Sequence, residues 1–156
     1  MNLGDVVLDD HDPFIVSVQP ANGTTGVKLD AEVLLHFNEP LDPWGDQIAN
    51  WAWLESVDAN GTHRTLYADA SFRDGNTTLA LKPWAPLPNF TSVTVHVRRA
   101  YDVAGREMSG APSTTFTTID AVPPFVLEST PRQGAANVPT DAQIRVRFSE
   151  SVMAES

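Results

Sequence analysis

Four histidines, four tryptophans, a knot of aspartates and four N-x-T triplets are the residues of this chain whose types and positions bear on chemistry. His11, His36, His63 and His96 are scattered, with no pair at i and i+4 and no spacing suited to a metal. Serine is plentiful, yet no G-x-S-x-G elbow occurs, and no glycine-rich loop is present to cradle a phosphate. Cysteine is absent, so neither a thiolate nucleophile nor a disulfide is available. Carboxylates abound, but on an acidic surface two fall close together by chance, and nothing in the sequence marks an acid and base pair. Catalysis is therefore not expected, and no catalytic residue is assigned.

Binding chemistry has more to work with. Asp9, Asp10 and Asp12 crowd the start of the chain, and Asp120 occupies the position equivalent to Asp9 in a later repeat. Hard oxygen ligands gathered at such a junction are expected to suit Ca²⁺, which would stiffen a string of domains. The plainer alternative is a solvated acidic linker, since the second junction, DAVPP, keeps only Asp120. Asn22, Asn60, Asn76 and Asn89 each begin an N-x-T triplet, half of the eight asparagines present, and all four fall in expected turns. They are glycosylation candidates, although turns favour Asn, Gly and Thr on their own account. Trp44 in PLDPWGD and Trp84 in KPWAP are ligand candidates, because an exposed indole can stack on a sugar face; the competing expectation is that each plugs a proline-packed loop. Trp51 and Trp53 share one strand face and are expected in the core.

Twenty acidic against ten basic side chains give a net charge of −10, which argues against a phosphate backbone as partner, so nucleic acid is not expected. No apolar run approaches the roughly 20 residues a membrane helix needs, so no membrane insertion is expected in this segment. The opening MNLGDVVLDD lacks the basic-then-apolar pattern of a secretion signal.

The elements that must position these residues are announced by a repeat. Pro13 to Glu39 recurs 111 residues later as Pro124 to Glu150, with nine identities, among them Pro20/Pro131, Gly23/Gly134, Phe37/Phe148 and Glu39/Glu150. These are turn formers and apolar anchors, and a period of that length suits a whole small domain. One domain is expected over residues 12–120, with 1–11 expected as a lead-in closing a preceding repeat and 121–156 as a linker and the start of a second copy. The sequence is expected to be a piece of a longer tandem protein.

Within the domain the apolar pattern has period two. Val33, Leu35 and Phe37 alternate with outward Leu34 and His36; Val93, Val95 and Val97 alternate with outward Thr94, His96 and Arg98. Further strands are expected over Phe14 to Val18, Trp51 to Val57, His63 to Phe72, Thr77 to Lys82 and Ser113 to Ile119. That makes seven, joined by turns such as Asp58-Ala-Asn-Gly61 and Asp74-Gly-Asn76. The expected fold class is all-β: a seven-stranded Ig-like Greek-key β-sandwich, followed by the first two strands of a second copy.

The ordered segments PFIVSVQPANGTTGV, FNEPLDP, LKPWAPLPNFTSVTV, YDVAGREM and STTFTTID resemble the bacterial Ig-like domains of the S-layer (SbsA-like) type, which open with P-x-V-x-S-x-x-P-x-x-G-x-x-x-V and close with T-F-T-T. One departure is Asn38, where that family usually has the serine seen at Ser149. The resemblance implies a non-enzymatic spacer or adhesive unit of an extracellular or cell-surface protein, with no shared catalytic residues. Its expected partners are neighbouring repeats or identical chains, with self-association through the C-terminal partial repeat, and surface glycans. The alternative is an accessory or carbohydrate-binding module of a secreted polysaccharide-processing enzyme.

Overall fold

Strand pairing follows from the alternation just described. The computed structural model describes residues 11–44, 51–58, 60–110 and 112–152, and statements of number or absence below refer to these. The strands are β1 (Ile15–Gln19), β2 (Val33–Phe37), β3 (Ala52–Val57), β4 (His63–Leu66), β5 (Ala68–Arg73), β6 (Thr78–Pro83), β7 (Ser92–Val97), β8 (Thr114–Thr117), β9 (Val126–Thr130) and β10 (Arg145–Phe148). The chain divides into two units, Met1–Asp120 and Ala121–Ser156.

In the first unit, one sheet has the order β1-β2-β6-β5 and the other β4-β3-β7-β8. Val33, Leu35, Leu79 and Leu81 of the first sheet are buried, as are Leu54, Val93, Val95 and Phe116 of the second, and all belong to one apolar cluster. Each such side chain contributes about 1.5 to 3 kcal/mol when fully buried, which is how a domain without disulfides holds together. The outward positions Leu34, His36, Thr94 and His96 are half-buried, as the alternation requires.

The expected strand His63 to Phe72 proves to be two. Tyr67 separates β4, which pairs with β3, from β5, which pairs with β6 in the opposite sheet. One continuous run thus crosses the edge of the sandwich, and the seven expected strands of this unit resolve into eight. Period two persists through the crossing because Leu66, Ala68, Ala70 and Phe72 all pack on the same core from either sheet.

The first and last segments of the unit also join. After β1 the chain turns at Asn22-Gly23, where φ of +80° at Gly23 needs a residue without Cβ, and then runs parallel to β8. Gly23 N–H donates to Thr115 O (2.7 Å), Thr117 N–H to Thr24 O (2.8 Å), Val27 N–H to Thr117 O (3.1 Å) and Ile119 N–H to Val27 O (2.8 Å). The Asn22 side-chain oxygen accepts a fifth bond from Thr115 N–H at 3.0 Å.

The second unit repeats β1 and β2 closely. Ile15 faces Phe37 as Val126 faces Phe148, and Ser17 faces His36 as Glu128 faces Arg147, so the same bulge falls in each copy. Gly134 adopts φ of +78° where Gly23 has +80°. Asn38 and Ser149 are equivalent in what they bind. Phe14 N–H donates to Asn38 Oδ1 (2.6 Å), and Phe125 N–H donates to Ser149 Oγ (3.0 Å). The backbone answers in both, Asn38 N–H to Phe14 O and Ser149 N–H to Phe125 O. Burial separates the copies. Val33 is 0 % exposed, whereas its counterpart Ile144 is 80 % exposed.

The clasp predicts that Asn38→Ser leaves stability within about 0.5 kcal/mol of the parent, because serine already makes the bond at 149. Asn38→Ala removes the acceptor and is expected to cost about 1 kcal/mol. Urea denaturation of both variants measures the difference, and equal midpoints would show that the side chain does not close the β1–β2 pair.

Candidate functional site

β3 begins at Ala52, and alternation from there points Ala52, Leu54 and Ser56 inward and Trp53, Glu55 and Val57 outward. Trp51 lies in the turn before the strand, off the pleat, and its buried ring meets Phe72 edge-on at 6.0 Å. The expectation that Trp51 and Trp53 share the core is thus corrected for Trp53. That indole lies on the outer face, stacked on His96 at 4.8 Å between centroids and 12° between planes, with the Arg98 guanidinium 5.3 Å from its ring centre.

Beside this stack is a carboxylate between two imidazoles. Glu55 Oε2 is 3.2 Å from His63 Nδ1 and 3.2 Å from His96 Nε2. The hydrogen bond from His63 chiefly, and that from His96, hold the Glu55 carboxyl below its ordinary 4.5, against the opposing effect of burial. Sequence spacing gave no sign of this trio, since its members come from three strands. Among the described residues no group of three or more His, Cys, Asp or Glu side chains is placed to hold a metal ion.

Trp44 and Trp84 are both exposed, at 91 % and 68 %, so neither plugs a loop as the competing expectation had it. They are not neighbours in the fold. β2 and β6 run antiparallel, so the loop carrying Trp44 after β2 and the segment carrying Trp84 after β6 leave opposite ends of that pair. Trp84 has a partner that sequence reasoning missed. Tyr67, at the crossing between sheets and 68 % exposed, stacks on it with centroids 5.5 Å apart and planes 21° apart. Trp84 N–H donates to Tyr67 O at 3.0 Å, and the indole Nε1–H donates to Asp69 Oδ1 at 2.8 Å. Two cavities of about 290 Å³ each share Thr65, Leu66, Tyr67 and Trp84 among their walls; one continues along Pro83–Leu87, the other reaches Ala52 and Trp53.

The four N-x-T asparagines all lie in turns, with different freedom at the amide. Asn60 is exposed in a turn fixed by Asp58, whose Oδ1 accepts Asn60 N–H and Thr62 N–H, both at 2.9 Å. The Thr62 bond chiefly holds the Asp58 carboxyl below its ordinary value. Asn22 is exposed and uses its oxygen toward Thr115. Asn76 is half-buried at positive φ, and the hydroxyl of its triplet, Thr78, is buried 3.0 Å from His36 Nδ1. Asn89 donates its amide nitrogen to Asp120 Oδ1 at 3.0 Å.

That bond also occupies one of the aspartates expected to bind calcium. Asp12 Oδ1 lies 3.9 Å from Arg106, while Asp9 and Asp10 lie outside the described residues. No calcium geometry is assigned to them. A further carboxylate, Asp102, is 1 % exposed in the β7–β8 connection, where Oδ1 accepts Ala104 N–H (2.8 Å) and Arg106 N–H (2.7 Å) and so closes the turn at Gly105.

The sheet orders β1-β2-β6-β5 and β4-β3-β7-β8 are the A-B-E-D and C′-C-F-G arrangement of an immunoglobulin-like sandwich. The profile of the family described as bacterial Ig-like domain matches residues 9–118 and again 120–156, and the chain belongs to that family. Among curated proteins no sequence matches it. Solved structures share the fold. PcoC, a methionine-rich copper resistance protein from Escherichia coli, superposes with a TM-score of 0.57 at 18% identity over 69% of this chain and 99% of its own. CopC from Methylosinus trichosporium OB3b gives 0.52 at 19% over 71% and 97%. Domains 1–6 of the surface layer protein SbsC give 0.52 at 17%, over 76% of this chain and 16% of that larger one. At 17–19% identity the likeness extends to the fold alone. No helix among the described residues is long and apolar enough to cross a membrane.

Glu55 yields a pH prediction with a definite sign. A carboxyl held below 4.5 adds stability above that value, and the stability is lost as pH falls through the lowered one. Glu55→Gln should therefore lower stability above about pH 4.5 and flatten its fall below that pH. Urea unfolding followed from pH 7 to pH 3 tests this, and parallel profiles would show the trio to be energetically idle.

Proposed function

We propose that this chain is a non-enzymatic structural module of a tandem-repeat protein outside the cell or on its surface, of the S-layer type, and that it carries tension between neighbouring repeats. The parallel pairing of residues 23–27 with β8 is the observation that supports this most directly. A pull on the N-terminal segment drags it one way along that pairing, and a pull on the segment after Ile119 drags β8 the other way. Four backbone hydrogen bonds, with the Asn22 bond beside them, are then loaded together in shear instead of opening one after another. The second reading, an accessory module of a secreted polysaccharide-processing enzyme, would require a hydrolase domain in the same gene, whereas further 111-residue repeats there would support the structural one.

Two surface properties complete the reading. Exposed Asn60 and Asn22 carry glycans in preference to Asn76 and Asn89, whose triplets are held by the fold. Val126, Ile144, Val146 and Phe148 form an exposed apolar row on the second unit, the surface on which a neighbouring repeat or an identical chain packs. Native mass spectrometry of material from the source organism reads both. Glycan increments on Asn60 ahead of Asn89, and a dimer lost on deleting residues 122–156, are expected; bare asparagines and a strict monomer would remove these two parts.

The mechanical core of the proposal is tested by single-molecule stretching. Thr117→Pro deletes the N–H that bonds Thr24 O on the outer side of β8. A lower unfolding force is expected, with an unchanged gain of roughly 350 Å in contour length for the first unit. An unaltered force would show that the parallel pairing does not carry the strain.

A further inference from the structure

We infer that the shelf formed by Tyr67, Trp84 and Trp53 is a binding site for the pyranose rings of a neutral polysaccharide. Tyr67 and Trp84 are exposed and Trp53 is half-buried, yet all three rings are held in place before any ligand arrives. Trp84 is fixed by its backbone bond to Tyr67 O, by Nε1–H on Asp69 Oδ1 and by the stack on Tyr67, while Trp53 is fixed by His96. Little side-chain freedom remains to be lost on binding.

Chemistry selects the ligand. A π face is electron-rich and attracts the polarised C–H bonds on one side of a sugar ring. Polar groups lie where hydroxyls would need them: Thr65 and Asp69 are exposed beside the rings, and Lys82 is exposed in the wall of a third cavity of about 210 Å³ that also includes Trp84. The two 290 Å³ cavities share Tyr67 and Trp84, so consecutive rings of one chain have room in each. A peptide adding as a strand is disfavoured here, because Trp84 N–H already takes the Tyr67 carbonyl at the point where β4 gives way to β5. A polyanionic chain is disfavoured by the net charge of −10.

Affinity electrophoresis of the full chain in gels containing soluble mixed-linkage β-glucan, arabinoxylan or galactomannan, with polygalacturonate as the anionic comparator, tests the site. Retardation by at least one neutral polysaccharide is expected, weakened roughly five- to tenfold in Tyr67→Ala and Trp84→Ala. Trp44→Ala, on a loop at the other end of the β2–β6 pair, should match the parent. Asp69→Ala, an exposed position, frees the indole without removing it and should weaken binding with no change in the circular-dichroism melting curve; it decides the matter if the aromatic variants do not fold. No retardation of the parent in any neutral gel, retardation by polygalacturonate alone, or binding unchanged in the folded variants would overturn the inference. The mechanical reading would then stand, since it rests on the pairing of residues 23–27 with β8.

Discussion

The contact of two apolar sheet faces across one core, with no covalent cross-link, governs everything else in this domain. Leu35, Leu79 and Leu81 from one side and Leu54, Val95 and Phe116 from the other leave almost no surface to water. Because a strand's side chains alternate strictly, committing one face to the core releases the other for any chemistry the surface needs. Trp53, Glu55 and His96 illustrate this. They occupy outward positions on β3 and β7 whose inward neighbours are among the best-buried residues of the molecule.

The crossing at Tyr67 is the place where that scheme is used most economically. A single residue hands the chain from one sheet to the other, and its carbonyl falls outside both strand ladders. Trp84 covers it through main chain, side chain and ring stack together. An edge guard and an aromatic platform are the same object seen from inside and from outside. This explains why so large an apolar surface is kept at an exposed position.

Much of the fold was legible in the residues themselves. The inward set Val33, Leu35, Phe37, Val93, Val95 and Val97 was readable from period two alone, and the repeat of Pro13 to Glu39 gave the second hairpin its register. The sheet switch was not, because Leu66, Ala68, Ala70 and Phe72 keep one parity across it: both sheets face the same core, and alternation cannot report which of them a strand belongs to. Parity misled at Trp53: Trp51 is buried as expected but lies one residue before the strand, and the pleat that begins at Ala52 turns Trp53 outward. Less of the candidate site could be read. Trp84 was visible as an indole between prolines, but its partners Tyr67 and Asp69 are brought to it by β5–β6 pairing, and the Glu55 trio by pairing among β3, β4 and β7. Chemistry assembled across a sheet leaves no local spacing to find.

The shared register of the two hairpins has a consequence for biosynthesis. β1 and β9 present the same bulge to β2 and β10, so a strand from one copy is geometrically acceptable to its counterpart in the other. Exchange between adjacent copies is a characteristic hazard of repetitive chains. Backbone geometry offers no safeguard here, and discrimination falls to side chains that differ: Leu34 against Arg145, His36 against Arg147, Ser17 against Glu128. Divergence between copies, ordinarily taken as drift, then acts as an address that returns each nascent strand to its own hairpin as the polypeptide leaves the ribosome.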